Sequence, residues 1–124
     1  MTKNHKPTDS ELEILSILWI KDYATVKEVH EVIQQTKNVG YTTTLKLMQI
    51  MNEKGLVTRN VTSKKHIYAP ALNKETIQEL HLDKIIQTLF NGNATKLILN
   101  VIEKYRPANK ELTAIKLMIE KLVN

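Results

Sequence analysis

The chain has no cysteine. That removes disulfides, thiolate zinc sites and cysteine nucleophiles together, and it suits a reducing compartment, so the cytoplasm is the expected location. Glycine is scarce too. Gly40, Gly55 and Gly92 are the three in 124 residues, and none belongs to a phosphate-cradling loop. Long hydrophobic runs are missing: the longest, Ile17 to Ile20, is far short of a membrane span. The opening MTKNHKPTDSE has no apolar core, so neither a signal peptide nor membrane insertion is expected.

Acids are missing locally. The formal net charge is +5, and between Lys37 and Lys65 lie six basic residues (Lys37, Lys46, Lys54, Arg59, Lys64, Lys65) against one acid, Glu53. The whole formal excess sits in this stretch. A local basic stripe is the footprint of a polyanion partner, although a solvated lysine-rich face gives the same count.

Catalytic constellations are missing as well. His30-Glu31 begins the pattern H-E-x-x-H, but the fifth residue is Gln34, so the second ligand is absent. His5, His30, His66 and His81 have no metal-ligand spacing and read as surface or hairpin histidines. Ser10, Ser16 and Ser63 sit in no nucleophile elbow. Glu11/Glu13 and Glu28/Glu31 read as carboxylates on exposed helical faces. No enzyme activity, cofactor or metal is expected.

What remains is an ordinary globular composition, 42% apolar and 25% charged, and a clear order of elements. Thr8-Asp9-Ser10-Glu11 matches a capping box and opens a helix with Leu12, Ile14, Leu15, Leu18 and Trp19 at helical spacing. Lys21 to Ala24 interrupts it. Thr25-Val26-Lys27-Glu28 is a second capping box, with Val26, Val29, Val32 and Ile33 on one face and Lys27, Glu28, His30, Glu31 and Gln34 on the other. That helix should end near Lys37. A third helix is expected from about Thr42 to Lys54, with Gly55 in the C-terminal glycine position. At 100° per residue, Thr44, Met48 and Met51 share its buried face. Thr42, Lys46 and Gln49 share the opposite one, with Thr43 at its margin.

LVTRNV and HIYAPAL then read as two strands around a polar tip, TSKK (Thr62 to Lys65), with Pro70 at the end of the pairing. From Asn73 the pattern is helical throughout. The last helix carries Leu112, Ile115, Ile119 and Leu122 at a/d spacing, the seam of a helix that packs on another. The expected fold is mainly α with one small hairpin. A winged helix-turn-helix spans 1–72, and a helical dimerisation region spans 73–124.

In such a fold the start of the third helix meets base edges. Threonine hydroxyls and methyls suit the major groove, and a lysine one turn later reaches a phosphate or a guanine. Thr42, Thr43, Lys46 and Gln49 are the expected major-groove set. Lys64 and Lys65 at the wing tip, Arg59 and Thr25 are the expected phosphate contacts.

ELEILSILW, VKEVHEVI, YTTTLKLMQIMNEKGLVTR and HIYAPAL, continued by TLFNGNATKLILNVIE, resemble the penicillinase-repressor family, the BlaI/MecI group of transcriptional regulators. The resemblance runs from about Thr8 to Leu122. It implies a homodimeric repressor whose winged helix binds a palindromic double-stranded operator and whose C-terminal helices dimerise. It also implies relief by proteolysis or loosening of the dimerisation region, signalled by a membrane sensor with a metalloprotease domain. The bond matching the family's cleaved one is Asn100-Val101, with valine in place of phenylalanine. Copper-responsive relatives carry a cysteine motif that this chain lacks. Thr44 stands where many relatives have an aliphatic residue, and its hydroxyl can bond back to a carbonyl one turn earlier. Two other readings fit the residues: a ligand-gated winged-helix regulator with a pocket between the two regions, and a winged-helix protein–protein adaptor that does not bind DNA.

Overall fold

A computed structural model describes residues 6–62 and 64–123. His5 and Ser63 lie outside the described residues. Among the described residues nine elements follow in order: α1 (Asp9–Lys21), β1 (Ala24–Thr25), α2 (Val26–Ile33), α3 (Tyr41–Lys54), β2 (Val57–Thr62), β3 (Lys65–Pro70), α4 (Lys74–Leu89), α5 (Ala94–Tyr105) and α6 (Asn109–Val123). They fall into two compact units, Met1–Leu80 and His81–Asn124, so the division lies inside α4 rather than before it.

Both expected capping boxes form. Thr8 Oγ1 accepts from the Glu11 backbone N–H at 3.2 Å, and Glu11 Oε1 accepts from the Thr8 N–H at 2.9 Å. Thr25 and Glu28 repeat the arrangement at 3.2 and 2.8 Å. α2 ends at Ile33, its last periodic residue and short of the expected end near Lys37; a turn carries the chain to Lys37, whose N–H still reaches the Ile33 carbonyl. α3 ends at Gly55, which takes φ 84°. The N–H of Leu56 folds back on the Met51 carbonyl at 2.9 Å, closing the helix in a left-handed cap that suits glycine.

The first unit buries one core. Ile14, Leu15 and Leu18 from α1 meet Val26, Val29 and Ile33 from α2, Met48 and Met51 from α3, Leu56 from the turn after it, and Val57 and Tyr68 from the sheet. Each such side chain contributes about 1.5–3 kcal/mol on leaving water. The Trp19 indole N–H donates to the Leu72 carbonyl at 3.1 Å, tying α1 to the segment after the hairpin. Ile77, in the first turn of α4, is also buried.

The sheet has three strands in the order β1-β3-β2, all antiparallel. The expected hairpin forms, but with a shorter tip: the register runs from Val57↔Pro70 to Thr62↔Lys65, so Thr62 and Lys65 pair as strand residues. β1 was not expected. It is two residues long, pairs Ala24↔Tyr68 and Thr25↔Ile67, and anchors the wing to the start of α2.

Glu11 corrects the sequence reading. It is 1% exposed, not on a solvent face. It stands three, four and seven residues before Ile14, Leu15 and Leu18, which is the apolar face of α1. Lys54 at the end of α3 answers it with an ion pair of 2.7 Å. This pair, with the backbone cap, is what makes a buried carboxylate tolerable.

In the second unit, Asn93 caps α5 by accepting from the Lys96 N–H at 3.1 Å. The preceding turn places Asn91 and Gly92 at φ 50° and 80°. No residue of α5 or α6 is buried.

Candidate nucleic-acid interface

α3 is two-faced. Thr44, Met48 and Met51 are buried against the core, while Thr42, Thr43, Lys46 and Gln49 are all exposed. The four expected reading residues therefore share one solvent surface at the front of a single helix, as the 3.6-residue period requires.

The N-terminus of α3 differs from those of α1 and α2. Its N-cap is Gly40, no side chain caps it, and no acid lies in its first turn. None of the three threonines is the cap. α1 and α2, by contrast, close their first turns with threonine and glutamate. An uncompensated positive helix end is favourable ground for a phosphate.

Thr25 is placed differently from expectation. Its hydroxyl accepts from the Glu28 N–H and donates to Glu28 Oε1, both at 3.2 Å. Its single hydrogen is therefore committed to the cap. The Thr25 backbone N–H and then the Thr25 hydroxyl, both donating to Glu28 Oε1, hold the Glu28 carboxyl below the ordinary glutamate pKa, with help from the charges of Lys21 and Lys65. The start of α2 thus already has its anion, and a phosphate there would meet a carboxylate.

The wing cations divide by face. Arg59 opposes Tyr68 in the register, and Lys65 opposes Thr62, an odd number of residues away along each strand. Pleating puts these two pairs on opposite faces of the hairpin. A groove of about 630 Å³ runs between α2, the front of α3 and the wing. Lys64 and Lys65 line it, together with Lys27, Glu28, Glu31 and Tyr41; Arg59 does not. Two members of the basic stripe have carboxylate partners. Lys54, half-buried, pairs with the buried Glu11, and Lys37, itself exposed, pairs with Glu13 at 2.8 Å. Lys46, Arg59, Lys64 and Lys65 are exposed on α3 and the wing.

A penicillinase repressor family model matches residues 7–121. The chain belongs to the penicillinase repressor family. Its members are transcriptional repressors, not enzymes. The chain is 24% identical over 119 residues to the methicillin resistance regulatory protein MecI of Staphylococcus aureus, covering 96% of this chain and 97% of that one. It is 26% identical over 106 residues to the transcriptional regulator BlaI of Mycobacterium tuberculosis, covering 84% and 77%. Among solved structures, the ferric uptake regulator of Francisella tularensis superposes with a TM-score of 0.47 at 13% identity, over 70% of this chain and 83% of that one.

Within this repressor, His30 is the residue the sequence reading misplaced. It is 8% exposed, not on the polar face of α2. Its Nδ1 lies 2.9 Å from Thr44 Oγ1, and its ring stands edge-to-face with Tyr41 at 5.6 Å between centroids. Thr44 faces inward as expected, and its hydroxyl meets this histidine. The signal was present: His30 follows Val26 by four residues and precedes Ile33 by three, which puts it on the buried face. Among the described residues no cluster of histidine and carboxylates could hold a metal ion, and no helix is long and apolar enough to cross a membrane.

The remaining expected residues lie in the second unit. Leu112, Ile119 and Leu122 are exposed and Ile115 is half-buried, all on one side of α6. Asn100 and Val101 sit within α5. Both are exposed, Val101 at 44%.

Proposed function

We propose that the chain is a homodimeric repressor that binds a palindromic DNA operator in the cytoplasm. The observation that carries this is α3: an open, acid-free helix start with Thr42, Thr43, Lys46 and Gln49 exposed together above a buried face. Those four side chains read the major groove. Lys64 and Lys65 hold phosphates on one face of the wing, and Arg59 holds them on the other. Thr25 contributes by keeping the start of α2 in place.

The unburied apolar side chains of α5 and α6 support dimerisation. Leu112, Ile115, Ile119 and Leu122 form the seam, and Met118 and Val123, also exposed, widen it. Tethering two half-site contacts raises the effective concentration of the second, and two-fold symmetry of the dimer matches a palindrome. Relief then comes from breaking or loosening these helices, through a membrane-bound metalloprotease sensor. Asn100-Val101 is exposed but helical, so cleavage there requires α5 to open locally first.

The test is binding of the full chain to duplexes selected from a random library, measured across a range of salt concentrations. Affinity for the selected duplex should fall steeply with salt as lysines release counterions, and it should exceed that for a scrambled duplex by about a thousandfold or more. A flat salt response with no sequence preference counts against the reading and favours the adaptor.

A further inference from the structure

The buried apolar seat of α3 is Met48 and Met51, flanked by the half-buried Leu45 and Leu47. Methionine is unbranched and adapts to its surroundings, so its packing alone sets the rotation of the helix only loosely. Two directional contacts add what it lacks, the Lys54–Glu11 pair at the far end of α3 and a second one near its front. His30 Nδ1 and Thr44 Oγ1 meet at 2.9 Å, with both residues out of solvent. A hydrogen bond in that setting tolerates little displacement, because parting it leaves two buried polar groups unmatched. The same imidazole braces the ring of Tyr41, the first residue of α3, at an interplanar angle of 85°. Tyr41 is itself 47% exposed. It precedes Thr42 and Thr43 and lines the groove that Lys64 and Lys65 also line.

We propose that His30 is the positioning residue of this interface: it fixes the rotation of α3 through Thr44 and presents Tyr41 as a further DNA contact, donating its phenolic hydrogen to a backbone phosphate. The inference rests on the DNA-binding reading above. A protonated phenol is a donor at neutral pH. Phosphate contacts of this kind set the register in which the base-reading side chains arrive. A rigid tyrosine at the front of the helix would therefore place Thr42 and Thr43 over their bases.

The experiment uses the full chain, the duplex it selects from a random library, and a double-variant cycle. Tyr41→Ala should weaken binding about fivefold or more while leaving thermal unfolding unchanged, since the position is half in solvent. Tyr41→Phe, which removes only the donor, should show most of that loss. His30→Asn keeps a hydrogen-bonding atom near the Nδ1 position and removes the ring. It should weaken binding in the parent and add little to Tyr41→Ala, because the two act through one contact. Should His30→Asn fail to fold, His30→Gln replaces it, again removing the ring and keeping a hydrogen-bonding group. Losses that multiply across the cycle assign His30 a purely structural role and overturn the proposal. So does parent-like affinity of either Tyr41 variant. If the parent chain selects no duplex at all, the DNA reading falls and this inference with it. If the parent binds and Tyr41→Ala binds equally well, this inference alone falls.

Discussion

Glu11 is a residue whose surroundings work against each other. Burial by itself raises its carboxyl. Hydrogen bonds from Lys54 and from the Thr8 backbone, with the charge of Lys54, outweigh that and hold it below the ordinary 4.5. A carboxylate with a lower pKa folded than unfolded adds stability above its unfolded pKa and loses it as pH falls through the folded value. The Glu11 contribution is therefore in place above about pH 4.5 and falls away below it. Lys54→Met should cost about 1–3 kcal/mol at neutral pH, and the gap should close as pH falls below about 4.5, where the parent loses the same contribution. Denaturant unfolding of both proteins across this range checks it, and a gap that does not change with pH would remove the pair from the account. Thr44→Val tests the second buried pair. It conserves shape but strands the His30 nitrogen, at about 1–3 kcal/mol by denaturant unfolding, and adding His30→Leu should recover part of that loss. Lys46→Ala should leave stability unchanged. It should cost about 1–3 kcal/mol of operator affinity if it contacts a base, and an unchanged ratio of specific to non-specific binding would assign it to phosphate. Glu11 and His30 were both legible in principle, since each occupies an apolar-face spacing. They were read as exposed because a charged or titratable side chain is rarely buried without a partner. Their partners, Lys54 and Thr44, lie on another helix, which spacing along one element does not reveal.

At the scale of elements, α3 carries the sharpest prediction. Gly40 has φ −79°, an ordinary extended conformation, and a Cβ added there meets nothing within 4 Å. Gly40→Asp should therefore fold without strain and supply the missing cap, raising stability by a few tenths of a kcal/mol. The same carboxylate would stand at the positive helix end where a phosphate is proposed, and operator binding should weaken by on the order of 1 kcal/mol through like-charge repulsion. Melting and binding measured on one preparation would show opposite signs; a variant that binds as tightly as the parent would show that α3 does not present its N-terminus to DNA. The helices and the hairpin were legible because capping boxes, Gly55 and the alternation of LVTRNV act locally. β1 was not legible. Two residues carry no period, and Ala24 and Thr25 become a strand only because β3 offers them an edge.

At the scale of the whole chain, the division within α4 alters where a functional fragment ends. Truncation after Leu80 retains Ile77, which is 3% exposed. Truncation after Leu72 discards it, at about 1.5–3 kcal/mol. The longer fragment should be the more stable by that amount in urea, and equal stability would show that Ile77 adds nothing to the core. Both fragments should bind the selected duplex far more weakly than the full chain, because neither retains α5 and α6. The sequence by itself determined the order of the helices and the hairpin, the two-faced α3 and the apolar stripe of α6, because these are local patterns with a fixed period. It also placed the positive charge between Lys37 and Lys65. Only the tertiary structure decided which of those charges meet a carboxylate and which face they take. Glu11 and Glu13 on α1 neutralise Lys54 and Lys37 from more than twenty residues away in the chain, while the hairpin register sends Arg59 and Lys65 to opposite faces. Pairing of this kind depends on which elements pack together, and a one-dimensional count of charges carries no information about that.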